Sequence, residues 1–346
     1  MTKTLITEKM AYLKATEQIL ARLGPVEYAP DVSTATLKPL LANIEILIAT
    51  KNAPVTKQTL SLAPKLRIIG VPTLGYDWVD VDAATAFGIP VVVNLGAPPN
   101  AVAEFALGAV LALTRRIAWA DRAMRTEAPW AQVRSRFADP DQLIGVELTR
   151  SVVGILGLGN IGAAVAKIIQ VLRPERIIGY DPLISAQAAA DIGVVLASEA
   201  NTVIREADIL LLHLPLVERT RGLLSAQMIS TMKTGALVVN CARGEIVDQD
   251  ALVDALVSGK LGGAALDVYA QEPLPSNSPL RSLDNVLLTP HIAGVTIQSD
   301  WSRGELIAHR VTEALSGRRP AGLVNPQVWD SFSRTALTEP EIGSTQ

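Results

Sequence analysis

Three residues in the last third of the chain have side chains suited to acid–base chemistry on a small anion: Arg243 in CARGEIVD, Glu272 in QEPLPSNSP and His291 in TPHIAG. Arginine presents a planar fork that holds a carboxylate and polarises a neighbouring carbonyl, and histidine gives or accepts a proton near neutral pH. A carboxylate beside that histidine would orient it and favour its protonated form. Together these types suit hydride transfer at a carbon that bears a hydroxyl or carbonyl next to a carboxylate. Each residue alone has a plainer reading. Arg243 could form an ion pair with Glu245 or Asp248, Glu272 could be a surface carboxylate ahead of Pro273, and His291 could only close a strand end. Of the other histidines, His309 lies within a helical pattern, IAHRVTEAL, and His213 ends the run ILLLH with no arginine and acid near it. His291, beside Pro290 and the small Ala293 and Gly294, sits in a loop able to approach a ligand closely.

The elements around these residues alternate. From Ser151 onward, VVGIL, RIIGY, ILLLH, ALVVN, GAALD and NVLLT are short apolar runs separated by helix-like segments. This alternation predicts βαβ units and a parallel sheet covered on both faces. Arg243 follows ALVVN, Asp267 and Glu272 follow GAAL, and His291 follows NVLLT, so all four fall beyond strand ends, where ligands bind in open α/β sheets. Buried at a strand end, Asp267 must find a partner, either the backbone or a nicotinamide amide.

The first hundred residues show a weaker alternation, with strands predicted in TLIT, EILIA, LRIIGV and PVVV and helices over 12–23 and 81–87. Longer helical patterns cover 101–117 and 299–315 and read as helices passing between two domains. The expected layout is a smaller α/β domain made of 1–100 plus 296–346, with a sheet domain, 101–295, inserted into it. The last dozen residues, rich in Ser, Thr, Glu and Gly, read as disordered.

A glycine-rich turn supplies the cofactor reading. In VVGILGLGNIGAAVAKII, Gly157, Gly159 and Gly162 have GxGxxG spacing directly after a strand, and Ile161, Val165, Ile168, Ile169 and Leu172 mark the face of a following helix. The first glycine allows the tight turn, the second lets backbone approach a pyrophosphate, and the third lets helix and strand pack closely. The pyrophosphate would rest on the helix's unpaired amides. Asp181 ends the next strand, where an acid accepts from ribose hydroxyls and repels a 2′-phosphate; no Arg or Lys follows in PLISAQ, so NAD is favoured over NADP. Asp181 has a plainer reading too, as a turn or helix-capping residue ahead of Pro182.

Composition bounds the rest. The 346 residues carry a formal net charge of −3, and no basic run is long enough to follow a phosphate backbone, so nucleic acid is not an expected partner. One cysteine, Cys241, and three histidines are too few for a structural metal site or a disulfide, and fit a reducing compartment. The densest apolar run, Phe105 to Leu113, is too short to cross a bilayer, and the start of the chain does not read as a leader, so no membrane partner and a cytoplasmic location are expected.

LGLGNIG, YDP, HLPL, NCARGEIVDQDAL, LDVYAQEP and TPHIAG, in this order and spacing, resemble the D-isomer-specific 2-hydroxyacid dehydrogenase family. The likeness extends to LRIIGVPTLGYDWVDVDAA, GIPVVVN, VAE and LVNPQVW. It implies a Rossmann NAD-binding domain inserted into a smaller flavodoxin-like α/β substrate-binding domain, and a homodimer formed mostly through the cofactor domains. It also implies an NAD-dependent oxidoreductase acting on the CH–OH group of a D-2-hydroxy acid, or reducing the 2-oxo acid. Arg243 would bind the substrate carboxylate, His291 would be the acid/base, and Glu272 would hydrogen-bond His291. Asn160, Ile161, Asp181, Pro215, Thr220, Cys241, Ala242 and Asp267 would line the NAD site with the three glycines, and the amides of Leu74 and Gly75 would meet the substrate carboxylate.

The chain departs from the family where the substrate is gripped. The usual Gly-rich loop reads Val71-Pro72-Thr73-Leu74-Gly75-Tyr76-Asp77, and the familiar NxPG stretch reads Asn94-Leu95-Gly96-Ala97-Pro98-Pro99. Val71 stands where phosphoglycerate dehydrogenases resemble one another by an arginine, which disfavours a phosphorylated substrate. Glu272 speaks against formate dehydrogenases, in which Gln takes that place. Phosphite oxidation and an NADH-sensing corepressor remain as alternatives, and the identity of the 2-hydroxy acid is left open.

Overall fold

A computed structural model describes residues 2–10, 13–31, 34–95, 99–125 and 145–334. The chain divides into two compact units, Met1–Pro98 with Val295–Gln346, and Pro99–Gly294.

The first unit is built on a parallel five-stranded sheet of β1 (Thr4–Ile6), β2 (Val26–Tyr28), β3 (Ile46–Ile48), β4 (Ile68–Val71) and β5 (Val91–Val93). Its order, β2-β1-β3-β4-β5, is the flavodoxin-like one. Successive side chains of a strand point to opposite faces. Leu5, Leu47, Ile69, Val91 and Val93 therefore join one core cluster, and Ile6, Ile46, Ile48, Ile68 and Val92 join another. The second face is covered by the helices Leu13–Leu20 and Ile297–Leu315, the latter burying Ile307, Ala308 and Val311 against it. Thr296 caps that helix by accepting from Ser299 N at 3.0 Å.

The second unit holds a parallel seven-stranded sheet: β6 (Val152–Leu156), β7 (Arg176–Tyr180), β8 (Val195–Leu196), β9 (Ile209–Leu212), β10 (Ala236–Asn240), β11 (Leu261–Leu266) and β12 (Val286–Leu288). The order β12-β11-β10-β9-β6-β7-β8 reverses direction between β6 and β9, the Rossmann arrangement, and ligands bind beyond strand carboxyl ends at such a reversal. Helices cover both faces, so β6 and β9 are buried throughout and their sequences are apolar without alternation.

The six strands expected after Ser151 are all present, but two edge strands, β2 and β8, were not expected. Both are short, and β8 is only half-buried to exposed, so neither forms an apolar run. The helix expected over 101–117 is two helices, Asn100–Thr114 and Ile117–Arg125, because Arg116 takes φ 52 between them. The helices read as passing between domains each lie within one unit, starting just after the chain crosses at 98/99 and 294/295. The first helix runs over Leu13–Leu20; Tyr12, Gly96, Ala97, Pro98 and residues 335–346 lie outside the described residues.

Candidate active site

The turn after β6 is shaped by glycine. Gly157 has φ +89, and a Cβ there would lie 2.5 Å from the His213 carbonyl oxygen; a Cβ on Gly162 would lie 1.9 Å from the Gly157 carbonyl oxygen. A side chain at Gly157 would push the turn off the end of β9, and one at Gly162 would push the helix off the turn. At Gly159, which precedes the helix Asn160–Gln170, a Cβ would meet nothing within 4 Å, and no side chain caps that helix. The amides of its first turn, which includes Asn160 and Ile161, have no side-chain acceptor, as a pyrophosphate site requires. Asp181, one residue past β7, accepts from Leu158 N and Leu183 N, both at 2.9 Å, one on each carboxylate oxygen. The turn reading of Asp181 therefore applies, and each oxygen keeps further acceptor capacity. This cradle fits a dinucleotide.

Beyond β9, Pro215 and Thr220 belong to one closed loop. The Thr220 hydroxyl donates to Pro215 O at 2.6 Å and accepts from Val217 N at 2.8 Å, so it shapes the backbone rather than projecting outward. Cys241 is half-buried, and burial, with Asp267 nearby, pushes its thiol up to about 12.

Arg243 follows β10. The preceding Asn240, 1% exposed, accepts from Ala242 N at 3.0 Å and donates to Arg243 O at 2.9 Å, setting the course of the backbone that carries the guanidinium. Arg243 Nη1 donates to Ala242 O at 2.7 Å. Asp248, one of its conceivable ion-pair partners, instead caps the helix Gln249–Val257 by accepting from Ala251 N.

Glu272 and His291 meet. Nδ1 of His291 lies 2.9 Å from Glu272 Oε2, and Glu272 Oε1 accepts from Tyr269 N at 3.2 Å. Glu272 is thus no idle surface carboxylate. His291 has φ +58, a conformation an ordinary side chain rarely adopts. Asp267 supplies the restraint: 1% exposed, it accepts from Thr289 Oγ1 at 2.6 Å and from the amides of Ile292 and Ala293, each at 2.8 Å. The backbone is therefore a partner of Asp267, which pins the loop on both sides of His291. The Tyr269 hydroxyl lies 3.0 Å from Leu266 O and 2.8 Å from Thr289 O, tying the end of β11 to the same loop. Burial is the main reason its phenol is pushed up to about 12.

Asn240, Thr289 and Tyr269 are positioning residues that no spacing marks. The signal was present for Asn240, since a polar residue ending an apolar strand must find partners when buried.

In the five-stranded unit, Val71 closes β4 and is fully buried in the core, so its side chain does not face a ligand. Val71 thus belongs to the strand rather than to the loop. The loop beyond it is exposed at Leu74 and Tyr76, and Leu95 is exposed after β5. Among the described residues there is no group of three or more His, Cys, Asp or Glu able to hold a metal ion, and no helix long and apolar enough to cross a membrane.

A Rossmann sheet with a glycine turn, an acid one residue past its second strand and a His–Glu pair past its strand ends is an arrangement suited to a dinucleotide and to proton transfer. The family model for the NAD binding domain of the D-isomer specific 2-hydroxyacid dehydrogenases matches residues 107–293, and the chain belongs to that family. It is 36% identical to the D-3-phosphoglycerate dehydrogenase of Methanocaldococcus jannaschii over 94% of this chain, but spans only 60% of that protein. It is 38% identical to the glyoxylate reductase of Thermofilum pendens, covering 84% of each chain. Among solved structures, the holo form of Rhodotorula graminis D-mandelate dehydrogenase superposes with a TM-score of 0.83 at 27% identity, over 93% of this chain and 97% of that one.

Proposed function

We propose that this chain is an NAD-dependent oxidoreductase that interconverts a D-2-hydroxy acid and its 2-oxo acid. The observation that carries the reading is the 2.9 Å contact between His291 Nδ1 and Glu272 Oε2 at the same strand edge as the NAD cradle. With Nδ1–H given to Glu272, Nε2 holds the lone pair that takes the hydroxyl proton during oxidation. Glu272 stabilises the imidazolium that results. In reduction, Nε2–H of the imidazolium returns the proton to the carbonyl oxygen. Arg243 holds the substrate carboxylate and polarises the carbonyl, and the amides of Leu74 and Gly75 contribute to carboxylate binding in the five-stranded, substrate-binding unit. Bound NAD supplies the hydride acceptor. Its binding residues are Gly157, Gly159, Asn160, Ile161, Gly162, Asp181, Pro215, Cys241, Ala242 and Asp267, with Thr220 contributing through the loop that its hydroxyl shapes.

NADH oxidation with a panel of 2-oxo acids tests this reading, and failure of every one of them while NADH still binds would overturn it. The acid at Asp181 should make NAD the better cofactor, with kcat/KM for NADPH lower than for NADH by a factor on the order of 10².

We also infer a cytoplasmic homodimer. A reducing compartment suits the single cysteine. Association through the Pro99–Gly294 unit is supported by the helix Ile117–Arg125, which buries none of its residues and leaves Ile117 55% and Met124 53% exposed. A monomer mass by light scattering at micromolar concentration would refute the dimer.

A further inference from the structure

The two carboxyl ends β4 and β5 lie side by side, with Val71 paired to Val93 in the parallel register. The segments leaving them carry three large apolar side chains in water: Leu74 is 47% exposed, Leu95 45% and Tyr76 38%. Most apolar side chains of this size in the unit are buried, so a group of three beyond neighbouring strands marks a surface kept for a ligand.

The surface is rigidly held. Asn94, 1% exposed, donates from its backbone N to Thr73 O at 3.1 Å and from Nδ2 to Pro72 O at 3.1 Å and to Arg303 O at 2.9 Å. Thr73 Oγ1 donates back to Gly75 O at 2.8 Å. One buried amide thus fixes the loop, the end of β5 and the helix Ile297–Leu315 with respect to one another. Pro72 restricts the loop further. A fixed loop presents its side chains in one arrangement, as a selective pocket needs.

The charges nearby do not favour an anionic group. Asp77 follows Tyr76 directly. Past β1 and β3, Glu8 accepts from Thr50 Oγ1 at 3.1 Å and from Asn52 Nδ2 at 3.0 Å, placing a second carboxylate at the same sheet edge. Lys9, next to Glu8, and Lys51 stand at this edge too, so its charges balance and give an anionic group no net attraction.

We propose that the substrate's side chain is apolar and bulky, a branched aliphatic or aromatic group seated on Leu74, Tyr76 and Leu95, rather than hydrogen, a hydroxymethyl, a second carboxylate or a phosphate. This rests on the activity proposed above. Area burial against three such side chains distinguishes substrates in steps of about tenfold or more per well-packed group.

The experiment measures kcat/KM for NADH-dependent reduction of glyoxylate, hydroxypyruvate, oxaloacetate, phosphohydroxypyruvate, 2-oxo-4-methylpentanoate and phenylpyruvate by the full chain. One or both of the last two should exceed each of the first four by at least about tenfold. In Leu74→Ser and Leu95→Ser, the ratio of kcat/KM for that best substrate to kcat/KM for glyoxylate should fall about tenfold, with NADH affinity serving as the control for an intact fold. A preference for glyoxylate, hydroxypyruvate or either dianionic acid overturns the proposal while leaving the dehydrogenase reading intact. An unchanged ratio in both serine variants overturns it as well. Should no 2-oxo acid be reduced although NADH binds, the activity itself is wrong and this inference falls with it.

Discussion

The carboxyl edges of the two sheets are built on opposite plans. Past the seven-stranded sheet, charged groups crowd together and are spoken for: Asp181 fixes the glycine turn, Asp267 holds the loop of His291, and Glu272 bridges His291 and the Tyr269 backbone. Past β4 and β5, the loops are held by neutral amides and a hydroxyl, and their tips are apolar and wet. The first edge is suited to moving a proton and holding charge, the second to telling one carbon skeleton from another. Chemistry needs ionised groups in fixed geometry, whereas discrimination between side chains needs area and shape.

The largest effect should come from removing the proton carrier. His291→Ala is expected to lower kcat by about 10²–10⁴-fold while NADH affinity changes little, and Glu272→Gln by a smaller factor, on the order of tenfold. Retention of most of the activity by His291→Ala would overturn its role. Asp267→Ala leaves the Ile292 and Ala293 amides and the Thr289 hydroxyl without their acceptor, at a cost of about 3 kcal/mol in urea unfolding. An unchanged midpoint would mean that the carboxylate does not hold the loop.

A smaller effect depends on pH. Burial pushes His213 down from 6.5 to about 4, so it is neutral in the folded chain at neutral pH. Between those two values the unfolded chain binds its proton and the folded chain does not, so stability is full above 6.5 and is lost as the pH falls towards 4. That loss is up to about 3 kcal/mol, and His213→Leu should remove it. Parallel decline of both proteins between pH 7 and pH 4.5, in denaturant midpoints, would contradict it. The smallest effect should be on stability at the other edge. Leu74→Ser and Leu95→Ser should shift unfolding by no more than about 0.5 kcal/mol, because both side chains are already in water. A large loss would place them in the core and erase the contrast between the edges.

Sequence legibility follows the same division. The apolar runs β6, β9 and β10 and the GxGxxG turn stand out because strands buried on both faces and backbone touching a phosphate tolerate few residue types. Arg243, Glu272 and His291 were legible as types at strand ends, and the contact between the latter two is a matter of tertiary structure. Asn240, Thr289 and Tyr269 act through main-chain contacts across separate segments, which spacing does not encode. Val71 looked like a lining residue because it adjoins the loop, but strand alternation turns it into the core. Edge strands β2 and β8 were invisible because an edge of two or three residues needs no apolar run.

The split first unit also bears on the order in which the protein is made. All five strands of its sheet have been synthesised by Val93, yet the longer of the two helices that share a core with Ile6, Ile46, Ile48, Ile68 and Val92 begins only at Ile297. The continuous Pro99–Gly294 stretch emerges whole in the meantime and carries its own cores. For the length of that stretch, the nascent chain carries an apolar sheet face that only the helix Leu13–Leu20 can partly cover, the kind of surface on which chaperones act and aggregation begins. Vectorial synthesis thus favours completing the cofactor unit first and the unit that started the chain last.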